Sequence, residues 1–235
     1  MQSQMTMQSQ IPSALDHAAS AMAGQPDGSA AQLRFYQILA ETPLVLLLTA
    51  EAAGGDVAPQ VFDLAAGPLV LAFESEDRLA QWAQEAGLGP QPYAELPARV
   101  IAQQLGAVGG IGLGLNFGAN TASEMILPPE AMTWLTEVLD IAPQTLPARI
   151  SDVLPLAQPP QAVMAALAIG LSRSAGMAQA ARLAHVRYDT GAQGHILAIF
   201  GASAAAEAPL SRAVAEALAF SGAEAAALDV VFVPQ

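Results

Sequence analysis

Residues 109–120 read GGIGLGLNFGAN, and the fold turns on what those glycines do. A dinucleotide-binding loop needs glycine at relative positions one, three and six, opening a helix directly after a strand. Gly112 and Gly114 have that spacing, but the sixth position is Phe117 and Gly118 comes one residue late. The next residues, ANTASEMILPP, carry no helix start, and no acidic residue stands at ribose distance in a strand-like segment. The chain has no lysine, which removes the lysine-bearing phosphate loop as well. The remaining explanation is structural. Gly112 and Gly114 thin a strand where another element approaches closely, and Asn116 and Gly118 turn the chain. No nucleotide and no other cofactor is expected.

Upstream, Ser13 caps a short helix that stops at Gly24, and AAQLRFYQILAE forms a second helix ended by Pro43. LVLLLTA (44–50) is apolar throughout and predicts a buried central strand. VFDLA (61–65) and LVLAFE (69–74) predict two strands joined by a turn at residues 66–68. Ser75 stands where an N-cap belongs, and Glu76 and Asp77 suit the first turn of the helix EDRLAQWAQEAG. Pro97 starts PARVIAQQLGAVG, and PPEAMTWLTEVLD (128–140) is a proline-started helix.

Downstream, IAPQTLP (141–147) has the composition of a linker. Beyond it come ARISDVLPL as a strand, PPQAVMAALAIGLSRSAG as a helix, and ARLAHVRYD and GHILAIFGA as strands about a turn. APLSRAVAEALAFSG then makes a helix and ALDVVFVP a last strand. The order βαββαβ predicts a ferredoxin-like split βαβ unit. The fold class is therefore α+β. A mixed N-terminal domain (13–140) precedes a ferredoxin-like C-terminal domain (148–235), after a disordered tail at 1–12.

Composition narrows the chemistry. A net charge of −13 repels nucleic-acid phosphates and anionic membranes, so neither is expected as a partner. All eight basic residues are arginine and there is no cysteine. Schiff-base, thiolate and cysteine-ligated zinc chemistry are excluded. The first twenty residues lack a basic start and an apolar core, and no apolar run approaches the roughly 18 residues of a membrane span. A cytoplasmic location is expected.

Four segments carry a family resemblance. They are LDHAA with RFYQILAETPLVLLL, LVLAFESEDRLAQW, YAELPARVIAQQL, and GGIGLGLNFG with LPPEAMTWL. From about Leu15 to Leu139 their order resembles the N-terminal domain of the SseB (enhanced serine sensitivity) family. Its markers fall here on Phe73, Ser75, Glu76, Asp77, Arg78 and Trp82, and on the turn Leu115, Asn116 and Gly118. The C-terminal unit resembles that family's second domain more weakly. The resemblance implies no catalytic residues and no cofactor.

Candidate sites follow from charge and polarity. His17, His185 and His195 form no metal-binding spacing, so no metal site is expected. No Gly-x-Ser-x-Gly elbow is present. Residues 173–195 are locally basic, and Arg182, His185, Arg187 and His195 are the candidate binding residues, for an acidic protein partner or a second copy. Strand alternation puts His185 and Arg187 on one face and Arg182 on the other. Tyr93, Arg99, Asn116 and Asn120 are candidates for an N-domain cleft. The leading expectation is a non-catalytic binding or regulatory protein. The alternatives are an enzyme using that cleft and a secretion-associated acidic chaperone.

Overall fold

The structure is a computed structural model that describes residues 11–25, 29–52, 57–65, 67–143, 148–155, 161–222 and 228–233. The expected tail at 1–12 lies outside them up to residue 10, as do residues 144–147 of the expected linker.

The chain opens with α1 (Ala14–Ala23), capped as its sequence predicts: Ser13 Oγ accepts from the Asp16 amide, and Asp16 accepts from the Ser13 amide. Helix α2 (Ser29–Glu41) runs into β1 (Pro43–Leu47), whose last four residues are all buried. Strands β2 (Val61–Leu64) and β3 (Gly67–Phe73) form the expected hairpin, and α3 (Glu76–Glu85) follows. The segment 88–96, unassigned from sequence, contributes β4 (Tyr93–Pro97), with α4 (Ala98–Val108) directly behind it. Then come β5 (Gly112–Leu115), a short β6 (Met125–Leu127) and α5 (Pro129–Leu139).

The first sheet has the order β4-β1-β3-β5-β6, with β2 sharing one edge of β3. Only β3 and β5 are parallel. Leu44, Leu46, Leu48, Val70, Ala72, Leu113 and Leu115 point to one face, where α1, α2, α4 and α5 cover them. Val45, Leu47, Leu71 and Phe73 point to the other, under Leu79 of α3. Each fully buried Leu or Phe contributes roughly 1.5–3 kcal/mol relative to exposure, so alternation within one short apolar run anchors both layers.

The glycine stretch is a strand and a turn. Gly114 is buried, and a Cβ there would lie 2.6 Å from Leu71 Cδ2. At Gly112 a Cβ would lie 2.7 Å from the Leu127 carbonyl oxygen. Asn116 (φ 48) and Gly118 (φ 73) then reverse the chain, and no helix follows.

The C-terminal part supplies β7 (Ile150–Leu154), α6 (Gln161–Ser172), β8 (Ala180–Tyr188), β9 (Gln193–Phe200), α7 (Ala204–Ser221) and β10 (Asp229–Val233). The elements come in the expected βαββαβ order, and the class is α+β with two sheets. The ferredoxin-like arrangement does not hold. A split βαβ sandwich sets its first and third strands side by side, whereas this sheet runs β10-β9-β8-β7 in order. The cause is β7. Four of its five residues are exposed and it is bulged between Ile150 and Asp152, so it belongs at an edge. Apolar β9 takes the centre instead.

Helices α6 and α7 cover one face of this second sheet through Leu167, Leu210 and Val214 against Leu197 and Ile199. The other face is closed by its own side chains. Tyr188 crosses β9 above Gly194, where a Cβ would sit 3.4 Å from the ring, and its hydroxyl donates to Asp229 on β10. The ring packs on Val186, Ile196 and Ala198.

The two sheets meet through helices. Gln37 on α2 donates to the Ala166 carbonyl of α6 at 2.8 Å. Phe220 of α7 joins the core of the first sheet, edge-on to Trp134 at 6.3 Å.

Candidate functional site

Two of the SseB-like markers, Arg78 and Asn116, far apart in sequence, meet in one polar cluster beneath α1. Ser75 caps α3, accepting from the Arg78 amide at 3.3 Å, while Glu76 and Asp77 stand exposed in the first turn. Arg78, one helical turn after Glu74, points inward and is 5% exposed. Its guanidinium donates to Asp16 Oδ2 at 2.7 Å, to Glu74 Oε2, and to Ser123 Oγ at 3.3 Å.

Asn116 closes the circuit. Its left-handed backbone turns the amide inward, where Oδ1 accepts from the Glu74 amide at 2.9 Å. Its Nδ2 donates to Glu74 Oε2 at 3.0 Å and to Ser123 Oγ at 2.8 Å. Ser123 in turn donates from its hydroxyl and its amide to Asp16 Oδ1. Three segments far apart in sequence, the start of α1, the start of α3 and the stretch from Asn116 to Ser123, are held by one hydrogen-bonded cluster. Among the described residues no buried side-chain polar atom lacks a partner.

The electrostatics are those of a satisfied ion cluster. Burial alone would raise the Asp16 carboxyl. Hydrogen bonds from the Ser123 hydroxyl, the Ser13 amide and Arg78 outweigh it and hold the group well below the usual carboxylate range. Glu74, directly before the cap, is taken up by Arg78, Asn116 and Ser123. The markers also have an apolar half. Trp82 packs on Phe73 at 5.7 Å and on Phe62 at 6.3 Å, and a Cβ on Gly118 would lie 3.2 Å from its indole.

The four candidate cleft residues do not come together. Asn116 is fully buried in this cluster, and Asn120 sits exposed in the turn, its amide on Glu124 at 3.0 Å. Tyr93 lies on the edge strand β4, where a hydrogen bond with Glu76 raises its phenol above the ordinary value. Arg99 faces away, toward the C-terminal part. The cleft fails because Asn116 is turned inward by its positive φ, while Arg99 starts α4 on the opposite side of β1.

The basic hairpin is divided in the same way. Arg182 lies over the Phe200 ring, 5.8 Å from its centroid, on the face closed by Tyr188. His185 and His195 are cross-strand partners with stacked rings 5.1 Å apart, on the face of Leu183. Arg187 meets Asp152 of β7 at 3.8 Å. Two sheet faces therefore share the four residues, as alternation requires.

A second polar cluster was not legible in sequence. Glu41 at the end of α2 and Arg99 of α4 meet Arg173, just after α6, and Glu216 of α7. Arg99 Nη2 lies 2.7 Å from Glu41 and 3.2 Å from Glu216; Arg173 lies 2.8 Å from Glu41 and 2.5 Å from Glu216. Each charge touches two of the opposite sign, and the ring joins the two sheets' helical layers. No local motif announces it, because its members come from four elements.

No curated protein and no solved structure matches the chain. The family described as SseB protein N-terminal domain matches residues 15–134. That span is just over half of the chain, takes in α1 through most of α5, and contains every residue of the buried cluster beneath α1. The chain belongs to the SseB family.

Proposed function

We propose that this chain is a non-catalytic binding or regulatory protein of the cytoplasm. It would be built from two domains, residues 13–140 and 148–235, and would take a small metabolite or a protein partner. One observation carries the reading: in the polar cluster that holds the markers Arg78 and Asn116, Asp16, Arg78, Asn116 and Ser123 are buried, Glu74 is partly buried, and all are hydrogen-bonded within the chain. A catalytic acid, base or nucleophile has to reach a substrate atom. Asp16, Glu74, Arg78, Asn116 and Ser123 spend their polar atoms on each other and on neighbouring groups of the chain such as the Ser13 amide, so their chemistry is that of a structural fastening. Among the described residues no helix is long and apolar enough to cross a membrane. The negative charge disfavours nucleic acid.

The test is incubation of the purified chain with a small-molecule extract, followed by mass spectrometry of bound and free pools. Binding predicts molecules retained by the chain and recovered unchanged. Time-dependent consumption of any component that requires the folded chain overturns the non-catalytic reading.

A further inference from the structure

An open groove of about 440 Å³ lies beside the ion ring, between the start of α4, the segment that follows α6, and α7. Three of the chain's eight arginines, Arg99, Arg173 and Arg212, line it. We propose that this groove binds a small organic carboxylate, its oxygens on the arginines and its carbon body against Met177, Ala208 and Pro209. The proposal rests on the chain being a binder, and it names the site and the ligand's chemistry.

Charge points to an anion. Arg99 and Arg173 are balanced by Glu41 and Glu216, but exposed Arg212 makes no ion pair among the described residues and leaves the groove with one positive charge in excess. On a chain of net −13 that local sign is unusual. Arg212 stands four residues before Glu216, one helical turn away, without engaging it. Arg99 reaches both acids through Nη2, so its Nη1 and Nε have no partner among the described residues. Guanidinium forks match carboxylate oxygens in pairs.

The rest of the lining selects an organic ligand. Met177, Ala208, Pro209 and Ala213 form an apolar wall. The volume is within the range of small-molecule sites. A bare oxyanion would leave that wall unused, whereas a short alkyl chain would bury it.

The experiment is isothermal titration calorimetry of the full chain at low ionic strength with acetate, butyrate, hexanoate and inorganic phosphate. Saturable binding should tighten from acetate to butyrate, with phosphate weaker than butyrate. Arg212→Gln should weaken butyrate binding by roughly tenfold, the value of a lost hydrogen bond to a charged group. Its melting curve should be unchanged, because Arg212 makes no ion pair among the described residues. Exposed Arg149→Gln, ahead of β7 and outside the groove lining, should bind as the parent chain does. The proposal is overturned by the absence of saturable butyrate binding, by undiminished affinity in Arg212→Gln, by loss of binding in Arg149→Gln alone, or by phosphate binding more tightly than every carboxylate. Consumption of butyrate by the parent chain and not by Arg212→Gln would keep the groove and remove the non-catalytic reading.

Discussion

Asn116 and Glu74 hold each other at both ends: Asn116 Oδ1 accepts from the Glu74 backbone amide at 2.9 Å, and its Nδ2 donates to the Glu74 carboxylate at 3.0 Å. Asparagine is suited to this position twice over. It tolerates a φ of 48° better than most residues, and its amide offers donor and acceptor together. Asn116→Asp should therefore be severe, since it sets a third carboxylate beside Glu74 and Asp16. Asn116→Gly relieves the backbone but deletes three side-chain bonds. Losses of about 2–4 kcal/mol are expected for both, with aspartate the worse. Urea unfolding of the two variants measures this, and a loss within 0.5 kcal/mol (about the scatter of surface substitutions) would show the cluster to be ornamental.

Acid stability should depend on Asp16. A carboxylate held below its unfolded value of about 3.9 contributes stability that is present above that pH. The contribution disappears as pH falls below it and the buried group takes up a proton. Glu41 has the opposite sign. Burial raises it, Arg173 opposes the shift and Glu216 adds to it, leaving it above the ordinary value. Its contribution is present at low pH and lost as pH rises through the raised value. Plots of unfolding free energy against pH between 3 and 6 should be flatter for Asp16→Asn and steeper for Glu41→Gln than for the parent. Parallel curves would contradict both assignments.

The tyrosines offer an alkaline readout. All three are displaced upward: Tyr36 chiefly by burial, Tyr93 chiefly by its bond with Glu76, and Tyr188 by burial together with Asp229, to about 12. Absorbance titration of the folded chain should show no phenol ionising at the ordinary value of about 10. Tyr188→Phe should remove the step near pH 12. It should also expose the sheet face that the ring covers, through loss of the Asp229 anchor.

Much of the fold was legible because its signals are local. Ser13 with Asp16, Ser75 with Glu76 and Asp77, and Pro129 mark helix starts within a few residues, and the run from Leu44 to Leu48 declares its own burial. Strand β4 was not legible: its alternating exposed and half-buried residues, Tyr93 to Pro97, carry little apolar signal because an edge strand buries little. The strand order of the second sheet was missed for a related reason. Element order does not say which strand is too exposed for the centre, and β7 is. The sites were harder still. Ser13 announces the start of α1, but nothing local announces the pairing of Asp16 with Arg78, 62 residues away. Ser123 and Glu216 belong to no motif, and their roles exist only once helices and turns from distant segments are brought together.

The glycines that opened the question give a ranked test of the strand reading. Both Gly112 and Gly114 sit buried in β5, but their neighbours differ in kind. At Gly114 an added Cβ meets the ends of Leu71 and Leu69, at 2.6 and 3.2 Å, and leucine side chains can rotate away at the cost of packing. At Gly112 it meets the Leu127 carbonyl oxygen at 2.7 Å, an atom of the neighbouring strand β6 that cannot move without disturbing the ladder. Overpacking of a core costs about 1–3 kcal/mol. Gly114→Ala should fall in that range and Gly112→Ala beyond it, both without any change in ligand binding. Equal losses would mean that β6 yields as easily as a side chain. A loss of nucleotide affinity in either variant would mean that residues 109–120 cradle a phosphate after all.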